Sequence, residues 1–294
     1  MKVLCFGSLN LDIVFAVERF VRAGETISSK ERTLNAGGKG LNQSVALAKA
    51  GAEVYHAGNI GSDGKLLIDT LRENGVNTDY IRTVDGVSGQ AIIQVDKTGQ
   101  NCIMLYDGAN TKVDSEQIDT VLANFGAGDT IVLQNEINRI PEIIEKAKAK
   151  GMRVALNPSP VTIELMMTYP LHLVDVFLVN EIEGEALSHK TKPEDIVKVM
   201  NIKYPDAEIV LTLGKDGVLY YDGINTYKQE IYKVVPADTT AAGDTFTGYF
   251  LRFSQEVSIP EALRIATVAS GIAVSKEGAA KSIPTRDVVL AVLK

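Results

Sequence analysis

Short runs of apolar, mostly β-branched residues alternate along the chain with segments in which apolar residues recur at helical spacing. The apolar runs are KVLCF, EVYHAGNIG, TIVLQ, RVALN, VDVFLVN and EIVLTLG. The helical segments include KGLNQSVALAKAGA, DGKLLIDTLRENG and IPEIIEKAKAKG, and two closing helices are predicted near Asp244–Ser254 and Pro260–Ser275. Continuous apolar strands separated by helices indicate a parallel sheet covered on both faces. The predicted fold class is therefore α/β, with a doubly wound, mainly parallel sheet flanked by helices.

Two stretches, residues 13–34 and 89–107, break this alternation. The first has no helical stripe, and the second alternates apolar and polar residues around DKTG, which is a hairpin-turn signal. We interpret both as antiparallel strands that leave the main sheet and form a small lid over a cleft. An ordinary extension of the sheet edge is the alternative. No linker, repeat or low-complexity tract divides the chain, so residues 1–294 are predicted to form a single domain.

Composition and charge narrow the classes of function. The 294 residues carry a formal net charge of −7. An acidic surface argues against nucleic acid as the main partner, because phosphate backbones are bound by basic patches. Cys5 and Cys102 are far apart and belong to no CxxC or Cys/His cluster, so a reduced, cytoplasmic chain is expected. The first apolar run is too short for a signal peptide, and no segment is long enough to span a bilayer.

The segment DTTAAGDTF, residues 238–246, places small residues where a helix is predicted to begin. Unpaired N–H groups and the helix dipole attract anions at such a point, and here the accessible amides are those of Ala241, Ala242 and Gly243. A helix start of this kind can stabilise the charge that develops on a transferring phosphoryl group. Asp244 lies at the same helix start and is a candidate to accept a proton from an attacking hydroxyl. The alternative is an aspartate that only caps a closely packed helix.

Two N-terminal segments suit a polar ligand. Asn10 and Asp12 in GSLNLD lie two residues apart, so in an extended chain their side chains point the same way and can hold sugar hydroxyls. In NAGGKGLNQS, consecutive glycines let the backbone approach a ligand, and Lys39 and Asn42 place polar groups near the helix start. The spacing fits neither a Walker A loop nor a dinucleotide fingerprint. Ordinary turn chemistry explains both segments about equally well.

Two strand ends in the C-terminal half suit a nucleotide and its metal ion. Asn180 ends a predicted strand in LVNEIEGEAL, and Glu183 follows one helical turn later, so the pair can organise Mg²⁺ through waters. Helix capping by Asn180 is the alternative. In LTLGKDGVLYY, Thr212, Gly214 and Gly217 lie in a strand–turn–strand segment that can border a nucleotide, although a plain hairpin explains them nearly as well.

Taken together, these motifs resemble those of the ribokinase (PfkB) family of carbohydrate kinases. The resemblance runs nearly from end to end and covers, in family order, GSLNLD, GGKGLNQSVA, NEIE, TLGKDG, DTTAAGDTF and KEGAAKSIP. It implies that Asp244 is the catalytic base and that residues 241–243 form an anion hole. The sugar site that it implies consists of Asn10, Asp12, Gly38, Lys39, Asn42, Glu136 and Asp244. The implied ATP and Mg²⁺ contacts are Asn180, Glu183 (to Mg²⁺ through water), Thr212, Gly214, Gly217 and Thr267.

The resemblance also implies a monovalent cation, usually K⁺, beside the anion hole. The matching positions, several of which would act through backbone carbonyls, are Asp238, Thr240, Ala273, Lys276, Gly278 and Ser282. The chain departs from the family pattern near the adenine, where Thr267 stands at a position that can hold a histidine. His56, His172 and His189 match no catalytic position, and we interpret them as structural or surface residues.

The resulting hypothesis is ATP-dependent phosphorylation of D-ribose at its 5-hydroxyl, with Asp244 as the base. ATP, Mg²⁺ and K⁺ are the expected cofactors. A homodimer formed through the lid is also expected, because exposed sheet edges and apolar lid residues favour pairing. A related kinase acting on another sugar or on a nucleoside is the first alternative. A sugar-binding sensor that has lost catalysis is the second, and the intact Asp244 argues against it.

Overall fold

The computed structural model describes residues 2–294, and its strands form two separate sheets. The main sheet has nine strands, which are β1 (Lys2–Phe6), β4 (Glu53–Ile60), β5 (Asn77–Thr83), β8 (Thr130–Gln134), β9 (Arg153–Asn157), β10 (Val176–Asn180), β11 (Glu208–Thr212), β12 (Val218–Tyr221) and β13 (Thr226–Gln229). The small sheet has four strands, which are β2 (Asn10–Ala16), β3 (Glu31–Gly37), β6 (Gly89–Val95) and β7 (Asn101–Tyr106).

The main sheet is parallel over most of its width. Its strands are ordered β13-β12-β11-β10-β9-β8-β1-β4-β5, and every neighbouring pair from β11 to β5 is parallel. At one edge of the sheet, β12 pairs antiparallel with both of its neighbours, β11 and β13. The predicted α/β class with a mainly parallel sheet is confirmed.

Helices separate the strands along the chain. They are α1 (Lys39–Lys49), α2 (Lys65–Glu73), α3 (Ser115–Leu122), α4 (Ile140–Ala149), α5 (Ile163–Thr168), α6 (Glu181–Ser188), α7 (Pro193–Lys203), α8 (Ala242–Phe253), α9 (Ile259–Val274), α10 (Ala279–Ser282) and α11 (Arg286–Val292). The two predicted closing helices correspond to α8 and α9, with their ends shifted by one or two residues. None of the helices in residues 2–294 has both the length and the apolar character needed to cross a membrane.

The central strands read as continuous apolar runs because each of their faces is covered. In β1, Val3 and Cys5 join a core cluster that also contains residues of α1, α8 and α9. Leu4 and Phe6, which point to the opposite face, join a second cluster with residues of α3, α4 and α7. Alternate side chains of one strand therefore stabilise two separate layers of helices, as in doubly wound folds.

The small sheet differs in two ways from the sequence prediction. β2 begins at Asn10 rather than near residue 13, and β3 continues to Gly37, because Asn10 pairs with both Gly37 and Gly89. The sequence predicts antiparallel strands only, whereas β2 and β6 are parallel; the antiparallel pairs are β2–β3 and β6–β7. Two strand pairs thus lie side by side and form a sheet of their own. The DKTG turn joins β6 to β7 as predicted, and residues 17–30 lie outside the strands.

Candidate active site

The site begins where the chain leaves β1 and passes against the first turn of α1. A Cβ atom on Gly40 would lie 2.4 Å from the Ser8 backbone nitrogen, so only glycine permits this close approach. Gly38 precedes the helix with a φ of 93°, in the left-handed region that favours glycine. The Ser8 carbonyl accepts the Leu41 N–H at 3.1 Å, which fixes the turn against the helix. The glycine-rich segment thereby places the first turn of α1 beside the carboxyl end of β1.

An ion pair stands at this helix start. Lys39 Nζ lies 2.6 Å from Glu136 Oε1, and the Lys39 N–H donates to Glu136 Oε2 at 3.2 Å. Ser8 Oγ donates to the same Oε2 at 2.5 Å. Burial alone would lower the pKa of Lys39, but the neighbouring Glu136 carboxylate outweighs burial and raises it. The lysine therefore stays charged, and Glu136, two residues beyond β8, is held by three donors.

The two polar residues of β2 face the same cavity. Asn110 Nδ2 donates to Asn10 Oδ1 at 2.7 Å, which leaves the amide nitrogen of Asn10 as its free donor. Asp12 is partly buried, and burial together with the nearby Glu136 raises the pKa of its carboxyl to about 7. A carboxyl that changes charge near neutral pH and an oriented amide are thus available to a polar ligand.

These residues line a cavity of about 410 Å³ between the two sheets, which we call the first cavity. Its polar side includes every predicted sugar contact, namely Asn10, Asp12, Gly38, Lys39, Asn42, Glu136 and Asp244. Its apolar side comes from the small sheet, through Ala91 and Ile93 of β6 and Ile103 and Leu105 of β7. The structure therefore brings the seven predicted residues together from four separate chain segments.

The first turn of α8 forms one wall of this cavity. Ala241 precedes the helix with a φ of 59°, which is a strained conformation for a residue other than glycine. Gly243 is exposed, and no atom lies within 4 Å of the position that a Cβ would take there. The Ala242 N–H donates to the Thr239 carbonyl at 3.3 Å. The helix start is therefore open at Gly243, where an incoming group can approach the backbone.

Asp244 lies in the first turn of α8 but does not cap the helix. Its carboxylate instead contacts α1: Asn42 Nδ2 donates to Oδ2 at 3.1 Å, and Gln43 Nε2 donates to Oδ1 at 2.9 Å. Burial raises the pKa of Asp244 to about 6, although the Gln43 amide and the Lys39 ammonium act to lower it. The side chain is therefore mostly ionised at pH 7 and remains a usable base.

A second cavity of about 520 Å³ opens on the other side of the α8 start. The predicted nucleotide residues Thr212, Gly214, Gly217 and Thr267 line it, together with apolar residues such as Val218 and Val274. The Thr267 hydroxyl is buried and has no hydrogen-bond partner among the described residues. The two cavities share five lining residues, which are Thr212, Thr239, Ala242, Gly243 and Phe246.

Asn180 and Glu183 form a reciprocal cap at the start of α6. Asn180 Oδ1 accepts the Glu183 N–H at 2.9 Å, while Glu183 Oε2 accepts the Asn180 N–H at 3.0 Å. Asn180 Nδ2 also donates to Glu183 Oε1 at 3.0 Å. Both residues line the first cavity. The capping alternative is thus part of the structure, and it leaves the Glu183 carboxylate oriented by two donors of Asn180, the backbone N–H and Nδ2.

The six predicted cation positions lie around the loops at the ends of α8 and α9. Asp238 Oδ1 accepts the Thr240 N–H at 2.8 Å, and its Oδ2 accepts the Gly278 N–H at 3.0 Å. Burial opposes ionisation of Asp238, but these hydrogen bonds outweigh it and lower the pKa of the carboxyl. The Ala273 carbonyl accepts the Lys276 N–H at 3.1 Å. Ser282 lies in α10, where its hydroxyl donates to the Ala279 carbonyl.

Several residues at the site escape the sequence analysis. Gln43 is the clearest, since its amide donates to the Asp244 carboxylate, whereas the motif pattern predicts only Lys39 and Asn42 as polar groups of the site. Asn157 lines the first cavity at the carboxyl end of β9, so the rule that ligands bind at strand ends would have found it. Ser8 and Asn110 give no sequence signal, because their contacts depend on segments about 100 residues away or more.

The three histidines lie where structural or surface residues are expected. His56 is buried, and its Nδ1 lies 2.8 Å from Ser44 Oγ. Burial lowers the pKa of its ring to about 4. His172 and His189 are exposed. Within residues 2–294 no group of three His, Cys, Asp or Glu side chains is placed to hold a metal ion.

Comparison with known proteins identifies the family of the chain. The family model of the pfkB family carbohydrate kinases matches residues 1–286. A ribokinase of Staphylococcus aureus is 36% identical, with 96% of each chain covered, and a deoxyribokinase of Salmonella typhi is 30% identical, with 97% and 96% covered. The structure of Arabidopsis thaliana ribokinase complexed with ribose and ATP superposes with a TM-score of 0.86 at 32% identity, covering 100% of this chain and 98% of that one. With a full-length family match and a polar cavity that meets a second cavity at one helix start, the chain belongs to the PfkB family of carbohydrate kinases.

Proposed function

We propose that this chain transfers the γ-phosphoryl group of ATP to the 5-hydroxyl of D-ribose. The observation that carries the proposal is the position of Asp244 at the junction of the two cavities. Its carboxylate lines the first cavity, and the residues just before it, Ala242 and Gly243, line both. A sugar hydroxyl in the first cavity and a phosphate chain from the second would therefore meet at one helix start.

The chemistry follows from the residues at that junction. Asp244 takes the proton of the 5-hydroxyl, the hydroxyl oxygen attacks the γ-phosphorus, and ADP leaves with the electron pair of the broken P–O bond. The open amide at Gly243 and the dipole of α8 stabilise the negative charge on the transferring group. The small side chains at 241–243 leave room for that group to approach.

The first cavity suits a small sugar. The buried Asn42 Oδ1 has no hydrogen-bond partner among the described residues, so it is available to a ligand hydroxyl. Lys39 and Asn10 supply donors, and Asp12 supplies an acceptor. The apolar residues of β6 and β7 suit the C–H face of a sugar ring, and the small sheet would act as a lid that excludes water. The similarity to ribokinases, one of them complexed with ribose and ATP, supports D-ribose as this sugar.

The second cavity suits the nucleotide. Its lining is mainly apolar, as a stacked base requires, and the unpartnered Thr267 hydroxyl offers one buried hydrogen bond. Gly214 and Gly217 border the cavity without side chains that would fill it. ATP in this position would direct its phosphates towards the residues that both cavities share.

The residues also fit the two expected cations, which the proposal takes from the family resemblance. Glu183 is oriented by Asn180, and with both oxygens already accepting hydrogen bonds it would hold Mg²⁺ through water rather than directly. Bound Mg²⁺ would neutralise charge on the phosphates. For K⁺, the loop near Asp238 offers hard oxygen ligands within a segment that Thr240 and Gly278 hold in place. A cation there would strengthen the positive field at the start of α8.

Phosphorylation of 2-deoxyribose is the second candidate, which the similarity to the Salmonella typhi deoxyribokinase favours. The two pentoses differ by one hydroxyl. A site built to bind that hydroxyl discriminates strongly against the sugar that lacks it, because polar groups of the site are then left unpaired. The relative kcat/KM of the two sugars therefore decides between the candidates.

We also propose that the chain forms a homodimer through the small sheet. β7 is an edge strand whose six residues, NCIMLY, are all exposed and uncharged. The opposite edge strand, β3, carries Glu31 and Arg32, which disfavour pairing with another strand. A second copy of the chain that pairs along β7 would cover this apolar edge and support the lid.

The test is ATP-dependent ADP release with D-ribose, 2-deoxyribose, arabinose, fructose, fructose 6-phosphate and adenosine, each with and without K⁺. We expect a clear preference for D-ribose, raised by K⁺. Turnover only with adenosine or a phosphorylated hexose would overturn the sugar assignment. Turnover with D-ribose that K⁺ does not change would contradict the cation site alone.

Asp244→Asn tests the base within the same assay. We expect kcat to fall by at least about 100-fold while D-ribose still binds in calorimetry. The matched control is Asp195→Asn. Asp195 is exposed and is the third residue of α7, just as Asp244 is the third residue of α8, and its replacement should keep full activity. Near-normal turnover of Asp244→Asn would show that another group is the base.

A further inference from the structure

Behind the carboxylate of Asp244 lies a buried side-chain amide that neither cavity touches. Gln43 is only 1% exposed, and its Nε2 donates to Asp244 Oδ1 at 2.9 Å. We propose that Gln43 is the positioning residue of Asp244, holding one carboxylate oxygen so that the other faces the sugar hydroxyl. The inference rests on the proposed function, in which Asp244 is the catalytic base.

The two oxygens of Asp244 have different surroundings. Oδ2 accepts from Asn42, a residue that lines the first cavity, so this oxygen is on the ligand side. Oδ1 accepts from Gln43, which lines neither cavity. Gln43 consequently cannot contact a sugar or a nucleotide in these cavities. Gln43 can therefore affect the reaction only through its neighbours, and its shorter contact with a residue of the first cavity is the one to Asp244.

A second buried amide fixes the direction of Gln43. An ionised carboxylate only accepts hydrogen bonds, so Gln43 must turn Nε2 towards Asp244 and its Oε1 away from it. Gln134, which is fully buried at the end of β8, donates its Nε2 to that Oε1 at 2.6 Å. Asn157 Oδ1 lies 3.5 Å from the Gln43 Nε2. The chain of donors thus runs in one direction, from the main sheet through Gln43 to the base.

The charges around Asp244 set what removal of Gln43 should do. Burial is the leading cause that raises the pKa of Asp244 to about 6, and the Gln43 hydrogen bond is the first of the contacts that lower it. The nearby charged groups that act on the pKa of Asp244 are Lys39, which lowers it, and Glu136, which raises it. The Cys5 thiol is also close, and Asp12 and Glu183 line the same cavity. Without the Gln43 donor, the pKa of Asp244 should therefore rise.

The experiment replaces the amide in the full-length protein by Gln43→Met, which keeps the length of the side chain. The readouts are kcat/KM for the sugar as a function of pH and the ¹³C NMR titration of aspartate carboxyl carbons, assigned with Asp244→Asn and Asp12→Asn. We expect the Asp244 titration and the acid limb of the profile to move up by about one pH unit. The Asp12 titration should stay in place and serve as the internal reference.

Two further variants separate positioning from a general loss of structure. Gln43→Asn keeps a polar side chain in the same place but is one methylene too short for Oδ1, so it should produce the same shift even if Gln43→Met does not fold. Gln117→Met removes a different buried glutamine, whose amide bonds the Gly58 carbonyl, and should leave the pH profile unchanged.

The outcomes are distinguishable. An Asp244 titration that stays at its wild-type position in both Gln43 variants overturns the positioning role, even if kcat/KM falls equally at all pH values. If instead Asp244→Asn keeps normal turnover, the assignment of the base fails, whatever Gln43 does.

Discussion

At the scale of single residues, the polar side of the first cavity contains buried carboxyl groups that lower the stability of the fold but are suited to binding a ligand. Burial, together with the nearby Glu136 carboxylate, raises the pKa of Asp12 to about 7, and burial also raises the pKa of Asp244. Charged groups held in this way cost stability and are retained where they act on a ligand. The strained backbone at Ala241, one residue before the helix, belongs to the same pattern.

Asp12 gives a stability prediction whose sign follows from its pKa. An aspartate in the unfolded chain titrates near 3.9, so between about pH 4 and 7 the folded protein retains a proton that the unfolded chain releases. Stability is therefore lost as the pH rises through this window. Asp12→Asn removes the charge and should raise the free energy of unfolding at pH 8 by about 1–3 kcal/mol, with little gain near pH 4.

Urea denaturation at several pH values measures this effect. The control is Asp85→Asn, an exposed aspartate outside the cavity, which should change stability little at any pH. Sugar affinity of Asp12→Asn should fall, since the acceptor is weakened. An unfolding free energy at pH 8 equal to or below that of the wild type would contradict the burial of an unfavourable charge at Asp12.

At the scale of elements, the contact between α1 and α8 assembles the base. Asn42 and Gln43 of α1 meet Asp244 of α8, and one turn further along both helices Ala46 meets Gly248. A Cβ on Gly248 would lie 2.5 Å from Ala46 Cβ and 2.7 Å from the Leu47 nitrogen, so the helices touch backbone to backbone at this point. Gly248 therefore sets the distance between the helices at which the side-chain amides of Asn42 and Gln43 reach the Asp244 carboxylate.

Gly248→Ala tests that contact against helix propensity. Propensity alone predicts that alanine inside a helix stabilises by about 0.5–1 kcal/mol. The steric contact predicts the opposite, a loss of about 1–3 kcal/mol together with a lower kcat, because α8 must move away from α1.

Thermal unfolding and steady-state kinetics of Gly248→Ala distinguish the helix-propensity expectation from the steric one. Ala46→Gly in the same chain removes the nearest clash and should restore part of both losses; the Leu47 nitrogen prevents full recovery. A Gly248→Ala variant as stable and active as the wild type would show that the helices tolerate a wider separation.

The elements themselves could largely be predicted from the sequence, because each depends on a local pattern. The buried strands are continuous apolar runs, and α8 begins within two residues of the predicted start. The parallel pairing of β2 with β6 could not be predicted. It joins residues about 79 positions apart, such as Asn10 and Gly89, and no local sequence pattern indicates whether two such distant strands run parallel or antiparallel. The same holds for Gln134, whose partner Gln43 is 91 residues away.

At the scale of the whole molecule, the site is a junction of distant segments. Asn10, which follows β1, and Asn180, which ends β10, could be placed at one edge of the main sheet by rule, because the carboxyl ends of parallel strands share that edge. The pair Lys39–Glu136, separated by 97 residues, could not be derived that way, and only the family resemblance pointed to Glu136. Sequence reasoning identifies which residue types gather at the site; the hydrogen bonds that orient them depend on tertiary packing.

The apolar edge of the small sheet leads to a prediction about assembly. On β7, Ile103 and Leu105 line the first cavity, whereas Met104 and Tyr106 do not and are 63% and 58% exposed. A row of exposed apolar side chains on an edge strand is a template for pairing, so the protein should sediment at about twice its 31.7 kDa chain mass. Met104→Lys should shift the equilibrium to monomers, because the pairing would bury a charge.

Analytical ultracentrifugation at micromolar concentration checks this, with Ile224→Lys as the matched control. Ile224 is 89% exposed in the turn between β12 and β13, far along the other sheet, so its replacement should leave the dimer intact. A monomeric wild type would contradict pairing of two copies along β7. If Met104→Lys is monomeric and its KM for the sugar rises, the partner stabilises the closed lid, because Met104 itself lines neither cavity. If KM is unchanged, the small sheet closes over the first cavity without help from a second chain.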